Sequence, residues 1–426
     1  MKYHWIRRPA SIAALLILCL AQATHGYSVL THEAIIDSTW DTGIKPLLLK
    51  RFPDTSKEQM REAHAHAYGG AIIQDMGYYP FGARLFSDLT HYARSGDFVE
   101  ALIRDSGDVN EYAFALGALC HYAADNTGHP GATNRSVPIL FPKLRREYGN
   151  VVTYAEDPSA HLQTEFGFDV VQVARGHYAS EAYHDFIGFS VSKPLLERAF
   201  QETYAIELKS LFTNLDLALG TYRYSVSTVI PRMTRVAWET HEKEIQAETP
   251  GATRQKFLYK LPRGAYRKEF GPQYQQPGFF AKVLARIFLI VPKAGPFKGF
   301  QIKPSTPETE KLFNASFKET IDYYRELLGQ AQGENLHLAN RDFDTGKPAQ
   351  AGEYRPADKA YGELLAKLAS HKFENVAPDL RQNILEFYGD TSQHIAKKDK
   401  GEWQKTLRDL TGLRNAGTQP KRTARN

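Results

Sequence analysis

The sequence predicts an all-α protein, and three observations carry that expectation. Apolar residues recur three and four apart over long stretches, the period of a helix with one buried face. Alternation with a period of two, the mark of a half-buried strand, is scarce. Glycine, proline, asparagine and aspartate gather between the periodic stretches, at 128–142, 249–278 and 340–356, which reads these as loops. Nothing repeats at a fixed period, so a solenoid is excluded. The 426 residues are 42% apolar and 24% charged, the balance of an ordinary globular chain with a large buried core.

Residues 1–26 read as a signal peptide. Arg7 and Arg8 form the positive region, Ser11 to Leu20 a short apolar core, and small residues follow. The core is too short for a spanning helix, which needs about 20 apolar residues. Cleavage after Ala23 fits the small-residue rule best; cleavage after Gly26 fits it more loosely and would expose Tyr27. The expected location is therefore secreted or periplasmic. Cys120 is the one cysteine left after cleavage, so no intramolecular disulfide is possible and a buried apolar role is expected.

The most regular helix signal runs from Asp108 to Asp125, with apolar residues at 109, 112, 113, 116, 119, 120 and 123. Ser190–Trp238 is mostly helix-compatible, with breaks expected near Gly220 and Pro231. Thr306–Leu328, Pro356–Leu368 and Asp379–Tyr388 repeat the pattern, with Pro307 and Pro356 at first-turn positions where proline is tolerated. A soft boundary lies near residue 245, because ten of the thirteen histidines after the leader precede it. It divides a core, 27–245, from a helical extension, 246–426, whose last dozen residues are expected to be disordered.

The net charge of +5 comes from the ends. Without Lys2, Arg7 and Arg8 the sum is +2, and without Arg414, Lys421, Arg422 and Arg425 the body is −2. A basic face for a polyanion is not expected of such a body.

The strongest chemical signal is His121 with Asp125. Positions i and i+4 share a helical face, so both groups can grip one ion. His129 follows in Gly128-His129-Pro130, where the proline predicts that the helix ends. His161 with Glu165 repeats the i, i+4 spacing, and Asp157-Pro158 suits the start of its helix. Imidazole and carboxylate at this spacing suit zinc. His32, Asp75 and His91 are further candidates. His64 and His66 are two apart, on different helical faces, and do not suit a chelate.

At these residues the sequence resembles the zinc-dependent phospholipase C family and the related single-strand-specific zinc nucleases. The stretch from Gln74 to Gly82 also resembles the surroundings of the family's metal-binding aspartate. The resemblance covers Tyr27 to about Glu165 and implies an all-helical fold holding three zinc ions. Carried over residue by residue, one ion takes Asp75, His91, His121 and Asp125. A second takes His129, His161 and Glu165. The third takes His32, Asp125 as a bridge, and the amine and carbonyl of the first mature residue, here Tyr27. The family's first residue is usually Trp, and its spacing from Asp to the next His is often six, against four between Asp125 and His129. Cleavage after Ala23 would block the terminal-amine ligand.

The implied reaction is attack of water on a phosphate ester. Metal coordination lowers the pKa of water from 15.7 to about 7. Asp75 is expected to orient or deprotonate that water, with Glu165 as the alternative. A phospholipid substrate cleaved on the glycerol side of the phosphate is the first expectation. Its supports are the stretch around Asp75, the slightly acidic body, and the apolar segment Phe279–Val291, which reads first as a buried core helix and otherwise as a segment that dips into a membrane surface. A single-strand-specific nuclease is the alternative, supported by the five-residue step from Tyr27 to His32. Tyr78, Tyr79 and Phe81 are the expected substrate-binding residues, able to stack bases or to hold a choline head group. A non-catalytic zinc-stabilised binding protein is the third possibility, opposed by the scarcity of cysteine. Asn134 and Asn314 head glycosylation motifs that matter only in a eukaryotic host. The loop Asn340–Pro348 carries no expected function.

Overall fold

The structure, a computed structural model, describes residues 28–175, 189–226, 305–389 and 400–416, together with positions 242, 243, 246 and 303. The leader, Tyr27, the boundary near 245 and the apolar segment Phe279–Val291 lie outside the described residues. Among the described residues there is no β-strand, and strand-like pairing is limited to an isolated antiparallel bridge between Arg341 and Pro348.

The helices are α1 (Val29–Thr39), α2 (Lys45–Arg51), α3 (Lys57–Ile72), α4 (Arg84–Tyr92), α5 (Ser95–Asp105), α6 (Val109–Gly128), α7 (Asn134–Leu140), α8 (Pro142–Tyr148) and α9 (Pro158–Arg175). After these come α10 (Lys193–Tyr204), α11 (Leu215–Tyr224), α12 (Pro307–Gln332), α13 (Arg355–Ser370), α14 (Pro378–Tyr388) and α15 (Lys400–Ala416). A 3-10 turn, Ile73–Tyr78, extends α3, and a π turn, His129–Thr133, joins α6 to α7.

Local chemistry fixes many helix starts. Asp108 accepts from the Glu111 N–H at 2.8 Å and opens α6. Ser56 and Gln59 form a reciprocal capping box on α3, and Thr306 and Thr309 do the same on α12, whose first residue is Pro307. Asp157 accepts from the Ala160 N–H at 2.9 Å and opens α9. Each such cap contributes about 1 kcal/mol.

Two expectations are corrected. The stretch 128–142 is not a loop: the chain stays helical through α6, the π turn and α7. The widened turn accommodates Pro130, which has no N–H to give, and closes with the Asn134 N–H on the His129 carbonyl. The break expected at Gly220 falls earlier, because α11 runs through Gly220. The interruption lies between α10 and α11, and Ala205 ends α10 in the left-handed region at φ 52°.

Helix α6 is the axis of the fold. It is buried on nearly every side, and α3 lies against it along most of its length. Glycines permit that approach. A Cβ at Gly117 would lie 2.1 Å from the Ala67 carbonyl oxygen, and one at Gly70 would lie 1.8 Å from that of Phe114. No rotamer relieves a clash with backbone, so Gly117→Ala is expected to destabilise the protein by about 3 kcal/mol, at the upper end of ordinary overpacking. The check is the midpoint of denaturant unfolding, and an unchanged midpoint would mean that the helix pair has slack.

One continuous apolar cluster runs from Val29 through Phe114 and Leu119 to Phe313, Tyr324, Tyr361, Ile384, Phe387 and Leu413. Helix α12 packs on α6, and α13 packs on α4. Tyr324 is fully buried and donates to the Leu116 carbonyl at 2.8 Å. The helices after residue 305 therefore share the apolar core that surrounds α6.

Candidate metal centre

Polar groups collect where α1, α4, α6 and α9 meet around the two irregular turns. Helix α1 carries His32, the 3-10 turn Asp75, α4 His91, α6 His121 and Asp125, the π turn His129, and α9 His161 with Glu165. All eight side chains are buried. Among the described residues they form three ligand sets: His32, His121 and Asp125; Asp75, His91 and His121; and His129, His161 and Glu165. Within each set the ligand atoms lie within 4.8 Å of one another.

Asp125 stands between the sets. Its Oδ1 is 3.2 Å from His32 Nε2, and its Oδ2 is 3.3 Å from His121 Nε2, 3.6 Å from His91 Nε2 and 3.7 Å from His129 Nε2. The four-residue step from Asp125 to His129 works because the chain remains helical through Pro130. It keeps His129 on the face of Asp125 and stacks its ring on His161 at 5.0 Å.

The outer nitrogen of each imidazole is held in place. His32 Nδ1 faces the Ser28 carbonyl at 3.3 Å, His91 Nδ1 that of Ser87 at 2.8 Å, and His121 Nδ1 that of Ala71 at 2.9 Å. A carbonyl can only accept, so these nitrogens carry the proton in the neutral rings and Nε2 is left as a lone pair. The Nε2 atoms of His91 and His121 then point at each other from 3.2 Å. Two facing lone pairs repel, and a cation between them removes the repulsion.

The carboxylates give the same result. Neither oxygen of Glu165 has a hydrogen-bond partner, although Oε1 lies 2.7 Å from His161 Nδ1. Burial pushes the Glu165 carboxyl well above its usual range, and Asp125, Asp344 and Asp75 push it the same way. Burial likewise holds His161 well below the usual imidazole value, so it is a neutral ligand. Burial pulls His32 and His91 down, but Asp125 and Asp75 outweigh it and raise both above the usual imidazole value. Buried carboxylates and imidazoles facing one another at these distances offer the donor set of a cation site, and nitrogen with oxygen fits zinc.

Tyr27 lies outside the described residues, but its neighbour Ser28 is buried at the edge of the centre. Asp169 fixes this entry, accepting from the Leu30 N–H at 3.1 Å and from the Thr31 hydroxyl at 2.7 Å. The aromatic faces expected at Tyr78 and Tyr79 are covered. Tyr78 donates to Asp88 at 3.3 Å with its ring 5.7 Å from His91, and Tyr79 packs on Tyr222 at 4.4 Å. These two line the wall of the centre, because the 3-10 turn that presents Asp75 also turns them inward. Phe81 is half-buried.

Sequence reasoning missed Asn134, Asp169 and the loop 340–348. Asn134 is no glycosylation site: it is buried, its Oδ1 faces His161 Nε2 at 2.8 Å, and its Nδ2 donates to the Asp344 carbonyl at 2.6 Å. Phe343 packs edge-on to His91 at 5.3 Å, and its N–H donates to the His91 carbonyl at 3.2 Å. Asp342 and Asp344, either side of an aromatic in a glycine-closed turn, were the available signal, but nothing local tied them to the histidines.

Five imidazoles and three carboxylates gathered into adjoining sets in an all-α body make a candidate multinuclear metal centre. Residues 31–214 match the model of the family described as zinc dependent phospholipase C. The protein is accordingly a zinc-dependent hydrolase acting on phosphoric ester bonds. Comparison with curated proteins and with solved structures returns no match. Among the described residues no helix is long and apolar enough to cross a membrane.

Proposed function

We propose that the protein is an exported phospholipase C that cleaves phospholipids on the glycerol side of the phosphate, using three zinc ions. The observation that carries the reading is the family match over residues 31–214, which spans every ligand from His32 to Glu165. Asp75, His91, His121 and Asp125 would hold one ion, and His129, His161 and Glu165 a second. His32 and Asp125 would hold a third together with the first mature residue, Tyr27 if cleavage follows Gly26. When bound, such ions lower the pKa of water to about 7 and neutralise phosphoryl oxygens.

The protein's own groups do the rest. Asp75 accepts a hydrogen bond from the attacking water and so aims it at phosphorus, and Glu165, whose oxygens have no other hydrogen-bond partner, is the alternative acceptor. The backbone carbonyls behind His32, His91 and His121 fix those rings, so little reorganisation accompanies reaction. Phe81 is the aromatic left to meet a lipid head group. Tyr78 and Tyr79 are covered and offer no face for base stacking, which weighs against the nuclease alternative. The apolar segment Phe279–Val291 is the proposed contact with the membrane surface.

The test is a panel on one preparation: zinc content, then hydrolysis of a choline phospholipid, single-stranded DNA and a simple phosphodiester. Faster turnover of lipid is expected. Faster turnover of DNA would overturn the lipid reading and favour the nuclease. Amino-terminal sequencing of the exported protein is expected to begin at Tyr27.

A further inference from the structure

The second ligand set differs from the others in what stands behind its histidines. His32, His91 and His121 rest on backbone carbonyls, and His161 on the Asn134 amide oxygen. His129 alone is backed by a carboxylate: its Nδ1 lies 3.1 Å from Asp344 Oδ1. Asp344 comes from the loop after α12, outside the region matched by the family model.

That carboxylate is held as firmly as a ligand. Tyr92 donates to Asp344 Oδ2 at 3.1 Å and Tyr354 donates to the same oxygen, leaving Oδ1 for His129. The Asp344 carbonyl accepts from Asn134, whose other amide atom holds His161, so both imidazoles of the set are tied to this loop. The loop is itself closed by a tight turn, with the Thr345 N–H on Asp342 Oδ1 at 2.8 Å and the Gly346 N–H on the Asp342 carbonyl at 2.9 Å. Gly346 has φ +69°, and a Cβ there would meet the Asn126 carbonyl oxygen at 2.8 Å, so the turn sits directly on the end of α6.

We propose that Asp344 is the positioning residue of the second metal site: its charge, 3.1 Å from His129 Nδ1, holds that side of the ring and turns Nε2 toward the site, so that metal retention depends on the chain beyond residue 305. The contact is an ion-pair approach rather than an aligned hydrogen bond; a carboxylate behind a ligating imidazole favours the proton on the outer nitrogen and leaves Nε2 for the ion. The inference rests on the metal reading above and assigns Asp344 no contact with substrate.

The experiment compares wild type, Asp344→Asn and Thr345→Val in zinc titrations of the metal-free proteins against a competing chelator. The visible spectrum of the cobalt-substituted forms and the thermal unfolding of the metal-free forms are recorded alongside. Asparagine keeps an acceptor for the tyrosines but removes the charge facing His129. Asp344→Asn is expected to weaken one ion by about 10- to 100-fold, to change the cobalt spectrum, and to leave the other ions bound. Thr345→Val, which loosens the turn without touching the carboxylate, is expected to hold its metal. Wild-type affinity and spectrum in Asp344→Asn would overturn the proposal, and so would an equal loss in Thr345→Val, which would make the loop's role structural. A wild-type protein that binds no zinc would instead overturn the metal reading itself.

Discussion

Asp125→Asn is expected to lose at least one metal ion and about a thousandfold or more in turnover, equivalent to roughly 4 kcal/mol of transition-state stabilisation. The change is nearly isosteric, so its effect is chemical. Asp125 presents one oxygen to His32 and the other to His91, His121 and His129, at 3.2 to 3.7 Å. The amide removes the negative charge shared by these rings and turns one oxygen into a donor. Burial favours the protonated carboxyl, yet the surrounding histidines hold Asp125 well below the usual range, so the native group is an anion. Helix content by circular dichroism is expected to persist, because Asp125 lies inside α6 and caps nothing. Full metal content with full activity in this variant would remove the basis for the centre.

Chelation is expected to abolish activity and to lower the thermal midpoint together, with both restored by zinc. A site held at a thousand times its Kd contributes about 4 kcal/mol to stability. At roughly 2–4 °C per kcal/mol for a domain of this size class, emptying a single such site lowers the midpoint by about 10 °C. The structure gives a reason to expect a real fall. The facing Nε2 atoms of His91 and His121 and the unpartnered oxygens of Glu165 are buried, so water cannot compensate them once metal is gone. An unchanged midpoint in protein shown to be metal-free would mean that these groups find other partners.

Much of the centre is legible in the chain because its information is local. His121 with Asp125 and His161 with Glu165 are helical pairs, and the helix period alone puts each on one face. The helices themselves are legible for the same reason, through apolar spacing and caps such as Asp108, Asp157 and Thr306. The errors have physical causes as well. Pro130 reads as a helix end because proline denies an N–H to an α turn, but a π turn needs no N–H at that position. Tyr78 and Tyr79 look like open aromatic faces in the sequence, and only the direction of the 3-10 turn decides that they point inward.

What the sequence by itself determined is the helical class, the pairing of ligands within each helix and, through the order of its histidines and acids, the resemblance to a zinc hydrolase family. What only the tertiary structure decided is which of these side chains stand together and what holds them. Asp125 stands among four imidazoles because α1, α4 and the π turn bring His32, His91 and His129 to the face of α6 that carries His121. Asp344 stands behind His129 because α12 and its loop fold back onto the same helix. Contacts within a helix follow from a fixed period of a few residues, whereas contacts between distant segments follow from how buried surfaces fit, and no spacing in the chain encodes that fit.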